Sequence, residues 1–303
     1  MNADKRRWTR RSFLAVTAAA AAADRAGMKL SLSVRIAEAP GSKEKTVLGF
    51  EDLVEVARQN AYDAICMRAS QGGIQTPRER LREMRRAVDA AGLRVSMVTG
   101  DFAVPSNDEK GPLGLRHITP YLDLAETFGA DLIRICMKKD EDIAWAQRAS
   151  DQARERRIRL AHQSHASSLF ETVAGSVDAL RKVNRPNFGI IYEPANWLIA
   201  AQDYGPATIR RLRPWLMNVY LQNHLLRPSG KAFVETWTRG RVPLDHIGLW
   251  EKGGVDFDRV FEGLYAVGYS GYVTVHQAFA EIMTPPEAAE KSYRYLKPFT
   301  AKS

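Results

Sequence analysis

The chain has 303 residues, 45% of them hydrophobic, with a formal net charge of +9 and only two cysteines. That length suits one large domain or two ordinary ones, and two cysteines build no disulfide framework. The basic residues are interleaved with acids, as in Arg154-Glu155-Arg156-Arg157, so they read as solvated helix faces and exclude a nucleic-acid stripe.

The first segment stands apart from any fold. Paired arginines in Thr9-Arg10-Arg11-Ser12-Phe13-Leu14 precede a weakly apolar alanine run from Val16 to Ala23, then Asp24. This is the basic, apolar, small-residue order of a cleavable export signal, and the arginine pair points to the twin-arginine route. The apolar run is shorter than the roughly 20 residues a membrane span needs. Residues 1–27 are therefore expected to be a twin-arginine signal peptide and 28–303 one domain, with the protein periplasmic or otherwise exported. The leader carries six Lys/Arg and two Asp/Glu, so the remainder is only moderately basic.

From residue 28 onward, strand-like and helix-like patterns alternate eight times. The strand candidates are residues 29–36, 62–68, 93–99, 131–137, 157–163, 187–193, 216–223 and 271–277. Most are short apolar runs, as parallel strands covered on their outer face should be. Between them lie helical periods. Thr76-Pro77-Arg78-Glu79 opens one as a capping box, and Leu81, Met84 and Val88 carry its apolar face up to Gly92. Others place Ile118, Leu122, Ala125 and Phe128 before Gly129, and Val260, Phe261, Leu264 and Val267 before Gly268. Eight βα units predict a closed (β/α)8 TIM barrel, and no glycine-rich phosphate turn follows the first strand to favour an open sheet. Cys66 and Cys136 lie inside apolar runs of the second and fourth strands and read as separate buried thiols. Residues 224–255 form the longest irregular stretch. Its Trp237, Arg239, Arg241, His246 and Trp250 suggest a substrate-covering loop.

Four consecutive strands end on polar, metal-capable residues: His162-Gln163-Ser164-His165, Glu193 with Asn196, Gln222-Asn223-His224, and His276-Gln277. Barrel active sites lie where the strands end. Alternation along a strand turns Gln163, Glu193, Tyr220, Gln222 and His276 inward and His162 outward. Glu193 and His276 are the acid–base candidates, and Gln163, Glu193, Gln222 and His276 the candidate metal ligands. Arg68, Asp101, Lys138, Asn196, Asn223 and Trp237 are candidates for binding substrate, with Arg134 near the same rim and Trp197 able to stack on a sugar. Arginine or lysine there would suit a phosphate or uronate. Glu193 is the one clear inward carboxylate, so glycosidic hydrolysis would need a second acid from Asp101, Glu235 or Asp245.

The end of the chain carries the most specific signal: Gly253-Gly254-Val255-Asp256-Phe257-Asp258, then Leu264 to Tyr272, then the eighth strand. In this the chain resembles the xylose isomerase-like superfamily of sugar phosphate isomerases and epimerases, over about residues 28–299. The resemblance implies one divalent ion, Mn²⁺, Zn²⁺ or Mg²⁺, bound by a Glu, an Asp, a His and a Glu at the ends of strands five to eight. Those positions hold Gln163, Glu193, Tyr220 or Gln222, and His276, and Asn196 stands where a further His is usual. Two of the family's glutamates also act as bases, and an amide cannot do that work. Two readings follow. One is a sugar or sugar-derivative isomerase or epimerase working by metal-assisted proton transfer next to a carbonyl. The other is a diverged barrel that binds carbohydrate, or cleaves it as a lyase or hydrolase, without that metal chemistry. The expected partner is a small-molecule sugar or derivative, with no nucleic acid and no membrane span; homo-oligomerisation stays open.

Overall fold

A computed structural model of the chain describes residues 27–99 and 110–301. The expected signal peptide, apart from Gly27, and Asp101 lie outside the described residues.

Among these residues eight parallel strands close into a barrel. They are β1 (Lys29–Ser33), β2 (Ala64–Met67), β3 (Arg94–Thr99), β4 (Leu132–Ile135), β5 (Arg159–Gln163), β6 (Phe188–Tyr192), β7 (Leu216–Leu221) and, last in the chain, Tyr272–Val275. The last strand pairs with both β7 and β1, which closes the ring. The helices around it include α1 (Phe50–Gln59), α2 (Arg78–Ala90), α3 (Leu113–Arg116), α4 (Thr119–Phe128), α5 (Glu141–Glu155), α6 (Val173–Val183), α7 (Pro194–Ile199), α8 (Pro206–Leu212), α9 (Phe257–Ala266) and α10 (Pro285–Thr300).

The strands are apolar because both their faces are covered. Every residue of β2, β4 and β6 is buried. Alternate residues divide between two cores. Cys66, Met97, Leu132, Ala161, Ile191 and Tyr220 fill the barrel, while Ile65, Ile133, Leu160, Ile190 and Val273 pack outward among the helices. Polar pairs share the barrel interior, Ser31 Oγ with Ser96 Oγ at 2.7 Å and Thr274 Oγ1 with Asn218 Oδ1 at 3.0 Å. Cys66 and Cys136 are buried and not disulfide-bonded.

Glycines end the helices as expected: Gly92, Gly129 and Gly268 take φ of 72°, 63° and 67°, a left-handed conformation that costs other residues more. The capping box before α2 does not form. That helix starts at Arg78, and the Thr76 hydroxyl instead accepts the Gly73 N–H at 3.1 Å.

The stretch after β7 is ordered rather than irregular. It folds into an antiparallel sheet of β8 (His224–Leu226), β9 (Ala232–Thr236) and β10 (Gly240–His246), with β10 in the middle. The eighth barrel strand is therefore β11 (Tyr272–Val275). Val242 and Leu244 of β10 pack with Ile199 at the end of α7, which seats the sheet on the barrel. No helix among the described residues is long and apolar enough to cross a membrane.

Candidate functional site

Gln163 closes β5, Glu193 follows β6, Gln222 follows β7 and His276 follows β11, so all four lie at the C-terminal rim. Glu193 is the centre of the group. It stands at the N-cap of α7, where a carboxylate usually accepts the helix's own N–H groups, yet its side chain makes no cap bond. It turns into the barrel instead. Gln163 and Gln222 each donate an amide N–H to one of its oxygens, and Asn196 Nδ2 donates at 2.7 Å. Ser164 locks the backbone beneath: its hydroxyl accepts the Glu193 N–H at 2.8 Å, and its carbonyl accepts from Asn196 at 2.9 Å. Burial pushes the Glu193 carboxyl above the usual range, against the opposing pull of Gln222, Arg35 and Gln163.

His276 is stacked on Tyr220 with ring centroids 3.7 Å apart, and its Nδ1 meets the Ser33 hydroxyl at 3.1 Å. Burial, and after it the charges of Arg35, Arg68 and Arg134, hold this imidazole well below its usual range, so the ring is neutral. Tyr220 reaches across the barrel to Cys66 Sγ at 3.3 Å, and burial raises the Cys66 thiol to about 11.

Arg35, in the turn after β1, donates to Gln222 Oε1 at 3.1 Å. Gln222 is thereby oriented at both ends, its oxygen toward a guanidinium and its nitrogen toward a carboxylate. The donor set is a poor one for a divalent ion, because Glu193 is its one carboxylate. A metal needs lone pairs: both Glu193 oxygens face amide N–H groups and the Gln222 oxygen faces a cation, while the buried Gln163 Oε1 has no hydrogen-bond partner and keeps its own. Among the described residues no three His, Cys, Asp or Glu side chains gather as a metal cluster. Of the four residues read as metal ligands, Gln163, Glu193 and Gln222 form a hydrogen-bonded network around one carboxylate, because two of the positions carry amides that donate as well as accept, while His276 is held apart on Ser33 and Tyr220.

The other candidate residues have defined places. Arg68 points to the rim and is spent on Glu38, Nε to Oε1 at 2.7 Å, with both side chains buried. Asn196 braces Glu193 and Ser164 as described. Asn223 clamps the loops: its Nδ2 donates to the Gly248 and Glu251 carbonyls, both at 3.0 Å, and its Oδ1 accepts from Val255 N at 2.8 Å. The Lys138 backbone N–H is held by Asp142 at 2.7 Å. Trp237 sits at the β9–β10 turn, 56% exposed. Trp197 is fully buried and donates to the Phe170 carbonyl, so it stacks on no ligand. His162 faces outward and stacks on Phe170. The loop acids are engaged on the outer sheet, Glu235 by Arg241 at 2.8 Å and Asp245 by the Lys231 N–H at 3.0 Å.

A cavity of about 260 Å³ opens at this rim, lined by Arg35, Lys43, Gln222, His246 and Glu281 among others. Gln222 is its link to Glu193. His246 meets His224 with Nδ1 atoms 3.2 Å apart, and burial holds both rings below their usual range. Sequence reasoning missed Arg35, Glu38 and Lys43. Arg35 had a signal, since it continues the inward alternation of Ser31 and Ser33. Glu38 and Lys43 had none, because they lie in the loop after β1. It also missed Glu171, whose buried carboxylate accepts the N–H groups of Ser167, Trp237 and Thr238 at 2.6, 2.8 and 2.7 Å, pinning the β9–β10 turn to the loop after β5.

A family model described as xylose isomerase-like TIM barrel matches residues 54–299. No curated protein matches the chain. Among solved structures, a xylose isomerase domain protein from Planctomyces limnophilus is similar with a TM-score of 0.69 at 16% identity, over 91% of this chain and 98% of that one. D-allulose 3-epimerase from Methylomonas sp., in complex with D-allulose, gives 0.64 at 16% over 90% and 97%. A xylose isomerase-like TIM barrel protein from Mycobacterium smegmatis, in complex with magnesium, gives 0.63 at 16% over 90% and 98%. At these identities the likeness shows the fold.

Proposed function

The chain belongs to the xylose isomerase-like TIM barrel family, and from that premise we propose an exported sugar-modifying enzyme that works at its C-terminal rim without a resident divalent ion. It binds a sugar or sugar derivative in the mouth cavity and moves protons with Glu193 and His276. The observation that carries this reading is the Glu193 carboxylate taken up by three amide N–H groups. The N–H donors favour the charged carboxylate, and burial outweighs them to raise its affinity for a proton. Its raised range brings proton uptake closer to neutral pH, where acid–base groups are most effective. A proton on Glu193 weakens its hold on Gln222, which then can turn its amide to a ligand in the cavity. His276, kept neutral, supplies the second titratable ring at the same rim. An isomerase or epimerase reaction is the form suggested by the epimerase similarity.

The second reading, metal-assisted isomerisation, draws on the magnesium complex among the similar structures. Elemental analysis of protein recovered from the periplasm separates the two. We expect no stoichiometric divalent metal, and a thermal-shift response to a panel of sugars and sugar acids that survives chelator and is lost in Glu193→Gln, with a melt confirming that the variant is folded. About one ion per chain, with ligand response abolished by chelator, would overturn the proposal and restore the metal-assisted reading.

A further inference from the structure

The charge at the mouth is the reverse of what a cation site needs. Arg35 and Lys43 both line the cavity. Behind them lie Arg68 and Arg134, close enough that Lys43 feels Arg35, Arg68 and Arg134 as like charges. The acids that could neutralise this group are mostly spent. Glu38 is buried and gives Oε1 to Arg68 Nε at 2.7 Å and to Ser70 Oγ at 2.9 Å. Its remaining approach to Arg35 is 3.9 Å, too long for a hydrogen bond. Glu193 is enclosed by its three amide donors behind Gln222. Glu281 lines the same cavity but is exposed, so water screens it. Arg35 thus reaches the cavity as a largely buried guanidinium with one hydrogen bond, to Gln222, out of five N–H donors, and a long ion pair with Glu38 at 3.9 Å that leaves its cavity-facing N–H groups for a ligand. Taking that cation out of water is costly, and a bound anion would offset the cost. Lys43 stands exposed at the entrance, a flexible second cation beside the first.

We propose that the mouth cavity takes an anionic sugar derivative, its carboxylate or phosphate on Arg35 and Lys43 and its hydroxyls on Gln222 and His246. This deepens the proposed function and rests on its placing of the ligand in that cavity. The guanidinium offers a planar pair of donors matched to an oxyanion, and Lys43 adds a point charge. The neutral His246 and the Gln222 amide offer the mixed donors and acceptors that hydroxyl groups use.

The experiment is calorimetric titration of the full mature chain with D-glucose, D-glucuronate and D-glucose 6-phosphate, each in low and in physiological salt. At least one acid is expected to bind tenfold or more tightly than glucose, and to weaken as salt rises. Lys43→Ala, on an exposed side chain, should reduce acid binding several-fold and leave glucose unchanged. Arg35→Gln should abolish the preference for acid; a thermal melt establishes that it is folded, and Lys43→Ala decides the question should it not be. Preference for glucuronate identifies a carboxylate, and preference for glucose 6-phosphate a phosphate. Glucose binding as tightly as both acids, or acid binding indifferent to Lys43→Ala and Arg35→Gln, overturns the anionic assignment while leaving the cavity as the ligand site. Binding of none of the three overturns both.

Discussion

Gln222 and Glu193 are hydrogen-bonded side chain to side chain across the ends of the neighbouring strands β7 and β6. The bond faces the Gln222 oxygen toward Arg35, so one neutral amide stands between a carboxylate and a guanidinium. It separates charges that would otherwise form an ion pair, and it is the surface that the Glu193 network shows to the cavity.

Restoring an acid beside Glu193 should recreate a cation site. In Gln163→Glu an N–H donor to Glu193 becomes a second carboxylate in a buried place, and like charges there are strongly disfavoured. The variant should melt about 5 °C or more below wild type in chelator at pH 8. Millimolar Mn²⁺ should raise its melting temperature while leaving wild type unmoved. A variant indifferent to Mn²⁺ would show that the amide at this position is not what bars the ion.

Acid should unfold the protein earlier than a barrel of ordinary histidines. His162, His165, His224, His246 and His276 are all held toward the neutral form, His162 and His165 with their ranges lowered to about 3, each chiefly by burial. Below about pH 6.5 the unfolded chain binds protons at these rings that the folded chain refuses, so stability falls as pH falls. Glu193 works the other way: its raised range keeps a proton on the folded chain, a contribution present at low pH and lost as pH rises through that range. Five histidines against one glutamate leave a net loss on the order of 3–5 kcal/mol per pH unit between about 6 and 5. Melting temperature measured from pH 8 to 5 should fall steeply below 6.5, and His162→Phe should flatten the fall. A level profile would contradict the buried-neutral assignment.

Glu171 should govern the β9–β10 turn without governing the barrel. Glu171→Gln replaces an acceptor of three N–H groups by an amide that can accept at one oxygen only. The cost is about 1–3 kcal/mol for the stranded N–H groups. Hydrogen exchange should quicken at Trp237 and Thr238 and stay unchanged in β5 and β6. Uniform quickening throughout the chain would mean that Glu171 supports the whole fold.

Export is carried by Arg10 and Arg11 in the proposal. Changing both to Lys should leave the protein in the cytoplasm, read by fractionation against a periplasmic marker. Undiminished periplasmic protein in the double variant would remove the twin-arginine route.

The closed barrel, its eight strands and the inward set at their ends were legible in the residue order. Alternation along a strand and the 3.6-residue period of a helix are local properties, and burial on both faces of parallel strands writes them plainly into runs such as Ala64-Ile65-Cys66-Met67. Thus Gln163, Glu193, Gln222 and His276 could be placed at one rim without coordinates. The β8–β10 sheet was not legible, because its short strands alternate Phe233, Glu235, Arg241 and Asp245 with few buried residues. What the rim residues do with their polar atoms was decided only by the tertiary structure. An amide can donate or accept, and the choice at Gln222 depends on Glu193, 29 residues away, and Arg35, 187 residues away. The loop after β1 likewise brings Lys43 and Glu38 to the mouth by folding back over it, and sets which acid is spent on which base. Residue order determines which side chains arrive at the rim; hydrogen bonding and charge are pairwise properties in space, so the character of the site emerges only once all eight strands are closed.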